Sequence, residues 1–315
     1  MKHKIFIDGS EGTTGLKIFE RFNERDDIEI LKIDSDKRKD RKERKRLINE
    51  SDVTFLCLPD DAAKESVAMV ENDGVIIIDT STAHRTLDDW CYGLPELSEK
   101  HRKKIAVGKR IAVPGCHATG FISLLYPLVK EGIIAPDYPL IVNSVSGYSG
   151  AGKKMIAEYE KEAREVDYDA PRFYALGQRH KHLPEMMKIC GLKREPIFSP
   201  AVCDYFQGLL VSVPLFAEAL HEPFTLKDLY RFYQEFYHSE RLITVMPEYG
   251  EENPVNFLLS NGLAGRDDLN IYITGNNDRI VLYAQLDNLG KGASGAAIQC
   301  MNIALGCEEV RGLSI

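Results

Sequence analysis

Several features that define whole classes of protein are missing from this 315-residue chain. No uninterrupted apolar run approaches the roughly 18 residues that a membrane-spanning helix needs, so no membrane association is expected. No basic segment followed by an apolar stretch opens the chain, so no signal peptide is expected. Positive charge is not in excess: 40 Lys and Arg against 48 Asp and Glu leave a net charge of −8. That balance argues against general nucleic-acid binding, although local basic clusters can still hold an anionic ligand. A disulfide framework is also missing, because the seven cysteines are odd in number and scattered. These absences predict a reduced, cytoplasmic setting in which a thiol stays free to act as a nucleophile. There are no internal repeats and no long linker. What remains is a composition of 44% hydrophobic and 28% charged residues, enough for a real core. At about 100–200 residues per domain, the length suggests two domains.

The first third alternates short apolar runs with helical patterns. Lys4 to Asp8, Ile28 to Asp34, Val53 to Leu58, Val75 to Asp79 and Ile111 to Val113 read as strands. Helical patterns follow at Gly15 to Asn23, Ala62 to Glu71 and from about His117 to Lys130. Strands separated by helices of this length predict a Rossmann-type, doubly wound parallel sheet, an α/β domain. From about Pro139 the texture changes. Leu140 to Ser146 and Leu209 to Pro214 look like longer strands, and Ile271 to Thr274 with Arg279 to Leu286 look like a hairpin. The second domain therefore reads as α+β with a mixed sheet, and Lys291 to Gly306 as a closing helix.

Directly after the first strand stands Gly9-Ser10-Glu11-Gly12-Thr13-Thr14-Gly15. Glycines at this junction let backbone approach a pyrophosphate, and the following helix offers unpaired N–H groups to it. Position between first strand and first helix is what lifts the pattern above a plain tight turn. The second strand ends at Asp34, where an acid would hold a ribose 2′-hydroxyl, but Ser35, Lys37 and Arg38 follow at once and suit a 2′-phosphate. NADP(H) is the expected cofactor. The basic run from Lys37 to Arg46 reads as a solvated helix face with acids interspersed, not as a nucleic-acid site.

In Val113-Pro114-Gly115-Cys116-His117-Ala118-Thr119-Gly120-Phe121 a strand ends, Pro-Gly turns the chain, and Cys116 lands at or near a helix N-terminus. The partial positive charge there favours thiolate over thiol. Cys57 lies in an apolar strand, and Cys300 and Cys307 are assigned to the C-terminal helix. Cys91, Cys190 and Cys203 lack such a turn. Cys116 is the expected nucleophile. An acid/base is offered by His180 and His182 in Arg179-His180-Lys181-His182-Leu183-Pro184-Glu185; on an extended segment both would share a face. No acidic or Cys partner stands at ligand spacing, so no metal is expected. Anions could be held by Ser81-Thr82-Ala83-His84-Arg85, or by the turn Ser146-Gly147-Tyr148-Ser149-Gly150-Ala151-Gly152-Lys153-Lys154.

Taken in order, GSEGTTG, STAHR, YGLPE, VPGCHATGF, SGYSGAGKK, HKHLPE and DNLGKGASGAA resemble the N-acetyl-gamma-glutamyl-phosphate reductase family in its shorter form, a cousin of aspartate-semialdehyde dehydrogenase. The resemblance runs from Gly9 to Gly306. It implies NADPH-dependent reduction of N-acetylglutamyl 5-phosphate to the semialdehyde in arginine synthesis, through a thioester on Cys116, with His180 or His182 as acid/base. It also implies a late cofactor-contacting turn with Asn288 facing the nicotinamide, joined by Gly290 and Lys291, and a dimer or tetramer. Ser81 is added to the cofactor contacts, and Arg85, Ser146, Gly147, Ser149 and Glu185 to the substrate contacts. The domains are expected at 1–115 with 287–315 for the dinucleotide and 116–286 for catalysis.

Three other readings compete. The same chemistry could serve aspartyl phosphate or N-acetyl-aminoadipyl phosphate, since one methylene is worth only ~1–3 kcal/mol in a pocket. A non-catalytic NADP-sensing protein would keep the glycine turn without needing Cys116 and the histidines together. A cysteine hydrolase would consume no nicotinamide, and the glycine turn argues against it.

Overall fold

The structure is a computed structural model that describes residues 2–221, 224–247 and 256–315. The chain divides into two compact units. One runs to Gly115 and takes back Ala293–Ser314; the other is Cys116–Gly292.

The first unit is built on β1 (His3–Asp8), β2 (Ile28–Leu31), β3 (Val53–Leu56), β4 (Ile76–Asp79), β5 (Cys91–Tyr92) and β6 (Arg110–Ala112). They form one sheet in the order β2-β1-β3-β4-β6-β5, with every neighbouring pair parallel. Both faces are covered, which is why β3 and β4 read as unbroken apolar runs and are buried at every residue. The two-residue period of β1 divides its side chains. Ile5 and Ile7 pack with Ile18 and Phe22 of α1 (Thr13–Phe22), while Phe6 packs with Leu47 and Ile48 of α2 (Arg41–Glu50). Helices α3 (Asp60–Val67) and α4 (Glu99–Val107) complete the series in this part of the chain. The doubly wound parallel sheet expected from the sequence is present. The two-residue β5 and the helix α4 were not legible. α4 is highly charged and Ile105 is its one buried residue, so its pattern carries almost no amphipathic signal.

The basic run is not uniformly solvated. Arg44 turns inward from α2 and pairs with buried Asp8, its Nη2 lying 3.0 Å from Asp8 Oδ2 and 2.6 Å from Ser66 Oγ. Asp8 is the last residue of β1, so this pair fixes the strand end from which the glycine turn departs.

The second unit opens with α5 (Cys116–Lys130), an almost wholly apolar helix buried along most of its length. Its sheet contains β7 (Ile141–Gly147), β8 (Arg172–Phe173), β9 (Ile197–Cys203), β10 (Leu209–Phe216), β11 (Ile243–Val245), β12 (Leu269–Gly275) and β13 (Arg279–Leu286). The order is β11-β12-β13-β10-β7-β9-β8, with β11/β12 and β7/β9 parallel and the remaining pairs antiparallel. This is the mixed sheet expected, including the β12–β13 hairpin. α5 packs on β10 and β13, joined by α6 (Lys153–Tyr159), α7 (Leu183–Cys190) and α8 (Leu226–Phe236) elsewhere in the unit. β9 escaped the sequence reading because Pro200 sits inside it. Proline is tolerated there because its carbonyl faces β8, accepting from Tyr174 N at 3.1 Å, so the missing N–H takes nothing from the β7 ladder.

The closing helix begins differently from expectation. A π-helical turn (Gly290–Ser294) leads into α9 (Gly295–Ala304), whose Ala297, Ile298 and Met301 pack into the core of the first unit.

Removing Arg44 would leave the Asp8 carboxylate buried without its cation. Arg44→Ala is therefore expected to destabilise the protein by ~3–5 kcal/mol, and denaturant unfolding checks it; a change within about 0.5 kcal/mol would show the pair to be dispensable.

Candidate active site

The glycine turn and the other early residues proposed to contact the cofactor belong to the first unit. Gly9 leaves β1 with φ +90°, and a Cβ there would lie 2.3 Å from the Cys57 carbonyl oxygen, so only glycine fits. Gly12 precedes α1 and donates its N–H to the Gly9 carbonyl at 3.0 Å, and no side chain caps the helix start at Thr13 and Thr14. Gly15 lies in the first turn against the Gly9 carbonyl. The N–H groups that begin α1 thus face away from any side-chain acceptor of their own cap. Beside the turn is a cleft of about 260 Å³ lined by Ser10, Glu11, Leu16, Phe19, Ile33 and Arg38 among others.

β2 stops at Leu31, three residues short of Asp34, and the chain then makes a 3₁₀ turn over Ser35–Lys37. Lys37 Nζ pairs with Asp34 at 3.0 Å, which raises the ammonium's pKa, and Arg38 Nη1 pairs with Glu11 at 2.5 Å. Of the predicted 2′-phosphate contacts Arg38 lines this cleft, while Ser35 and Lys37 lie in the adjoining 3₁₀ turn.

The segment after β4 hangs on Asp79. Its carboxylate accepts from Ser81 N at 2.9 Å and Ser81 Oγ at 2.7 Å, and meets His84 Nδ1 at 2.6 Å, while the His84 ring stacks on Trp90 at 4.0 Å. Arg85 is buried, with Nε donating to the Val113 carbonyl at 2.8 Å and Nη2 to the Thr80 carbonyl at 3.0 Å. Its guanidinium pins this loop to the end of β6.

In the second unit Cys116 is the first residue of α5 and is half-buried. Gly292 presses directly on it: a Cβ at position 292 would stand 2.7 Å from Cys116 Cβ. The neighbouring His117 is buried and held at both nitrogens, Nδ1 by Ser144 Oγ of β7 at 2.7 Å and Nε2 by the Tyr174 hydroxyl at 2.8 Å. His180 and His182 stand around it, with ring centroids 5.6 and 5.5 Å from His117 and 4.7 Å from each other. The segment is not extended, as the shared-face argument supposed. His182 has helical backbone at the N-cap of α7 and donates its N–H to His180 Nδ1 at 3.2 Å. The rings meet because the chain turns. Burial, followed by the neighbouring His180 and Lys181, pushes the His117 pKa down to about 3, so this imidazole is neutral. Burial, followed by nearby Cys116, raises the Tyr174 phenol.

His117, Ser144 and Tyr174 were not singled out from sequence. The one available signal was the position of His117 beside the cysteine, since its partners lie 27 and 57 residues away. The other thiols differ from Cys116 in setting. Burial pushes Cys57 up to about 12 and raises Cys190 and Cys91. Cys307 lies beyond the end of α9, not inside it.

Residues 4–105 match the semialdehyde dehydrogenase NAD binding domain, and residues 116–288 match the semialdehyde dehydrogenase dimerisation domain. An N-acetyl-gamma-glutamyl-phosphate reductase 2 of Nostoc sp. is 43% identical over 320 residues, covering 99% of each chain. The chain belongs to the semialdehyde dehydrogenase family. Its fold is shared with the aspartate semialdehyde dehydrogenase of Francisella tularensis (TM-score 0.70, 15% identity, 96% of this chain and 99% of that one). It is shared also with the Candida albicans aspartate semialdehyde dehydrogenase crystallised with NADP (TM-score 0.67, 16% identity, 96% and 98% covered).

The remaining predicted contacts lie in the second unit. The Asn288 amide is engaged at both ends, Oδ1 accepting from Gly208 N at 2.7 Å and Nδ2 donating to Ser149 Oγ at 2.9 Å. Through Ser149 it braces the Ser146–Ala151 turn. Ser146, Gly147 and Ser149 are buried there, and Gly290 and Lys291 belong to the π-helical turn with Lys291 fully buried. Glu185 is buried in the first turn of α7.

A neutral buried His117 makes a definite pH signature. The unfolded imidazole binds a proton below about 6.5 and the folded one does not until about 3, so stability falls as pH drops through that window. His117→Asn is expected to shallow this acid limb in denaturant titrations between pH 7 and 5; an unchanged slope would mean that His117 protonates freely in the fold.

Proposed function

We propose that the chain reduces N-acetyl-L-glutamyl 5-phosphate to N-acetyl-L-glutamate 5-semialdehyde with release of phosphate, using NADPH, as a step of arginine synthesis in the cytoplasm. The observation that carries this reading is a cysteine opening α5 beside a histidine cluster, in a chain similar from end to end to a reductase of that name.

The Cys116 thiolate, favoured by the helix start, attacks the acyl carbon; the bond from that carbon to the phosphate oxygen breaks, leaving a thioester and free phosphate. NADPH, when bound at the Gly9–Gly15 turn, supplies the hydride that reduces the acyl group. The glycine at position 9, closed to any Cβ, and the adjoining cleft fit such a group. Ser35, Lys37 and Arg38 are the residues we assign to the 2′-phosphate; the two basic side chains are held by exposed pairs of little energetic worth, which a phosphate can replace. Collapse of the hemithioacetal returns sulfur as thiolate and requires a base for the hydroxyl proton. His180 or His182 takes that proton. His117 is unsuited, being engaged at both nitrogens.

We also assign the outer face of the second sheet to a contact between copies of the chain, in a dimer or tetramer. Ile141, Ile197 and Phe216 stand on it with 43%, 55% and 60% of their surfaces exposed.

Cys116→Ser is expected to lose turnover by on the order of 10³-fold or more while NADP(H) binding persists. In the wild type, substrate without cofactor should leave acyl mass on the peptide bearing Cys116; unmodified peptide from an active preparation refutes the thioester. Run in reverse with NADP and phosphate, the enzyme should prefer N-acetylglutamate semialdehyde over the aspartate and N-acetyl-aminoadipate semialdehydes. Preference for either competitor overturns the substrate assignment.

A further inference from the structure

The edge of the second sheet breaks off beside the histidines in a defined way. β8 runs antiparallel to β9, with Arg172 opposite Val202 and Phe173 opposite Ala201. Each step forward on β8 is a step back on β9, so Tyr174 comes to Pro200, and its N–H reaches the Pro200 carbonyl at 3.1 Å. In an unbroken ladder the next two bonds would join the Leu176 peptide groups to the N–H and carbonyl of Phe198. Instead Ala175 takes a left-handed φ of +54°, the chain leaves the strand, and Leu176 stands 80% exposed. Gln178, with φ +55°, donates its N–H to the Ala175 carbonyl at 2.9 Å and returns its side chain to β9. The side-chain Oε1 accepts from Phe198 N at 2.9 Å, and Nε2 donates to the Phe198 carbonyl at 3.1 Å. A primary amide carries the donor and acceptor of a peptide group, so the Gln178 side chain fills the ladder position that Leu176 vacates.

Two non-glycine residues in the left-handed region make a costly turn, one that persists only where surrounding bonds over-determine it. Here the two bonds to Phe198 do so. The gripped residue matters, because the Phe198 ring packs on His180 at 5.0 Å and on His117 at 5.5 Å. Gln178 also stands two residues before His180, whose Nδ1 accepts the His182 N–H at 3.2 Å. The clamp therefore fixes both the backbone from which these two imidazoles project and the ring against which one of them rests. We propose that Gln178 is a positioning residue for the acid/base of the reaction: its side-chain amide, standing in for a strand peptide, holds His180 and His182 at the site of proton transfer. This assignment rests on the reductase reading.

The test uses the intact enzyme in the reverse direction with N-acetylglutamate semialdehyde, NADP and phosphate, counting turnover per bound NADP so that misfolded chains do not enter. Gln178→Gly relieves the left-handed strain but deletes the clamp. It should lower kcat by roughly 10²-fold while KM for the semialdehyde and for NADP stays within about threefold of wild type. Gln178→Glu keeps the acceptor for Phe198 N–H and regains the donor only when its carboxyl is protonated. Its kcat relative to wild type should therefore climb as pH falls from about 8 to about 5, whereas that of Gln178→Gly should not. This second variant decides the matter if the glycine variant does not fold. With an active wild type, an unchanged kcat in Gln178→Gly, a loss carried by KM instead of kcat, or a Gln178→Glu ratio flat with pH overturns the proposal. A wild type inactive on this semialdehyde refutes the reductase reading, and the proposal with it.

Discussion

One neutral imidazole organises the second unit. His117 follows Cys116, the proposed nucleophile, in sequence, and hydrogen bonds at both of its nitrogens join the first turn of α5 to β7 and to the segment that leads toward α7. Such a ring cannot rotate without breaking a buried hydrogen bond, so the helix start keeps one position relative to the sheet. The two histidines offered for acid/base work pack against that fixed ring, and Gly292 closes on the cysteine from the other side. The Cys116 sulfur is thus set by packing around it, the arrangement the proposed catalytic role requires.

The fold was legible where its signals are local. β1, β3 and β4 declare themselves through apolar runs, and the glycine turn through its place between a strand and a helix. Cys116 was legible for the same reason, because Pro-Gly and the helix start are its immediate neighbours. What stayed hidden depends on distance along the chain. Nothing near His117 announces Ser144 or Tyr174, and nothing in the basic run separates Arg44, buried on Asp8, from its solvated neighbours. The roles suggested for Arg85 and Asn288 illustrate the limit from the opposite direction. Each stands within a recognisable motif, but the hydrogen bonds it makes, Arg85 to the Thr80 and Val113 carbonyls and Asn288 to Gly208 and Ser149, were not foreseen.

Charge follows a similar logic. The net charge of −8 describes the chain as a whole, whereas individual cations occupy defined settings within it. Arg44 holds a strand end, Arg85 a loop, and Arg172 lies between aromatic rings. Lys37 and Arg38, by contrast, remain in exposed pairs with Asp34 and Glu11, where an anion can compete for them.

Pro200 has an effect beyond interrupting a sequence pattern. Along β9, Phe198 turns toward the histidine rings while its neighbour Ile197 turns outward. A shift of one residue would exchange these sides and present an aromatic ring to water and a serine to the imidazoles. Proline carries no N–H, so only one of the two alignments leaves the ladder to β7 whole. The residue that disguised the strand therefore also works as its register lock.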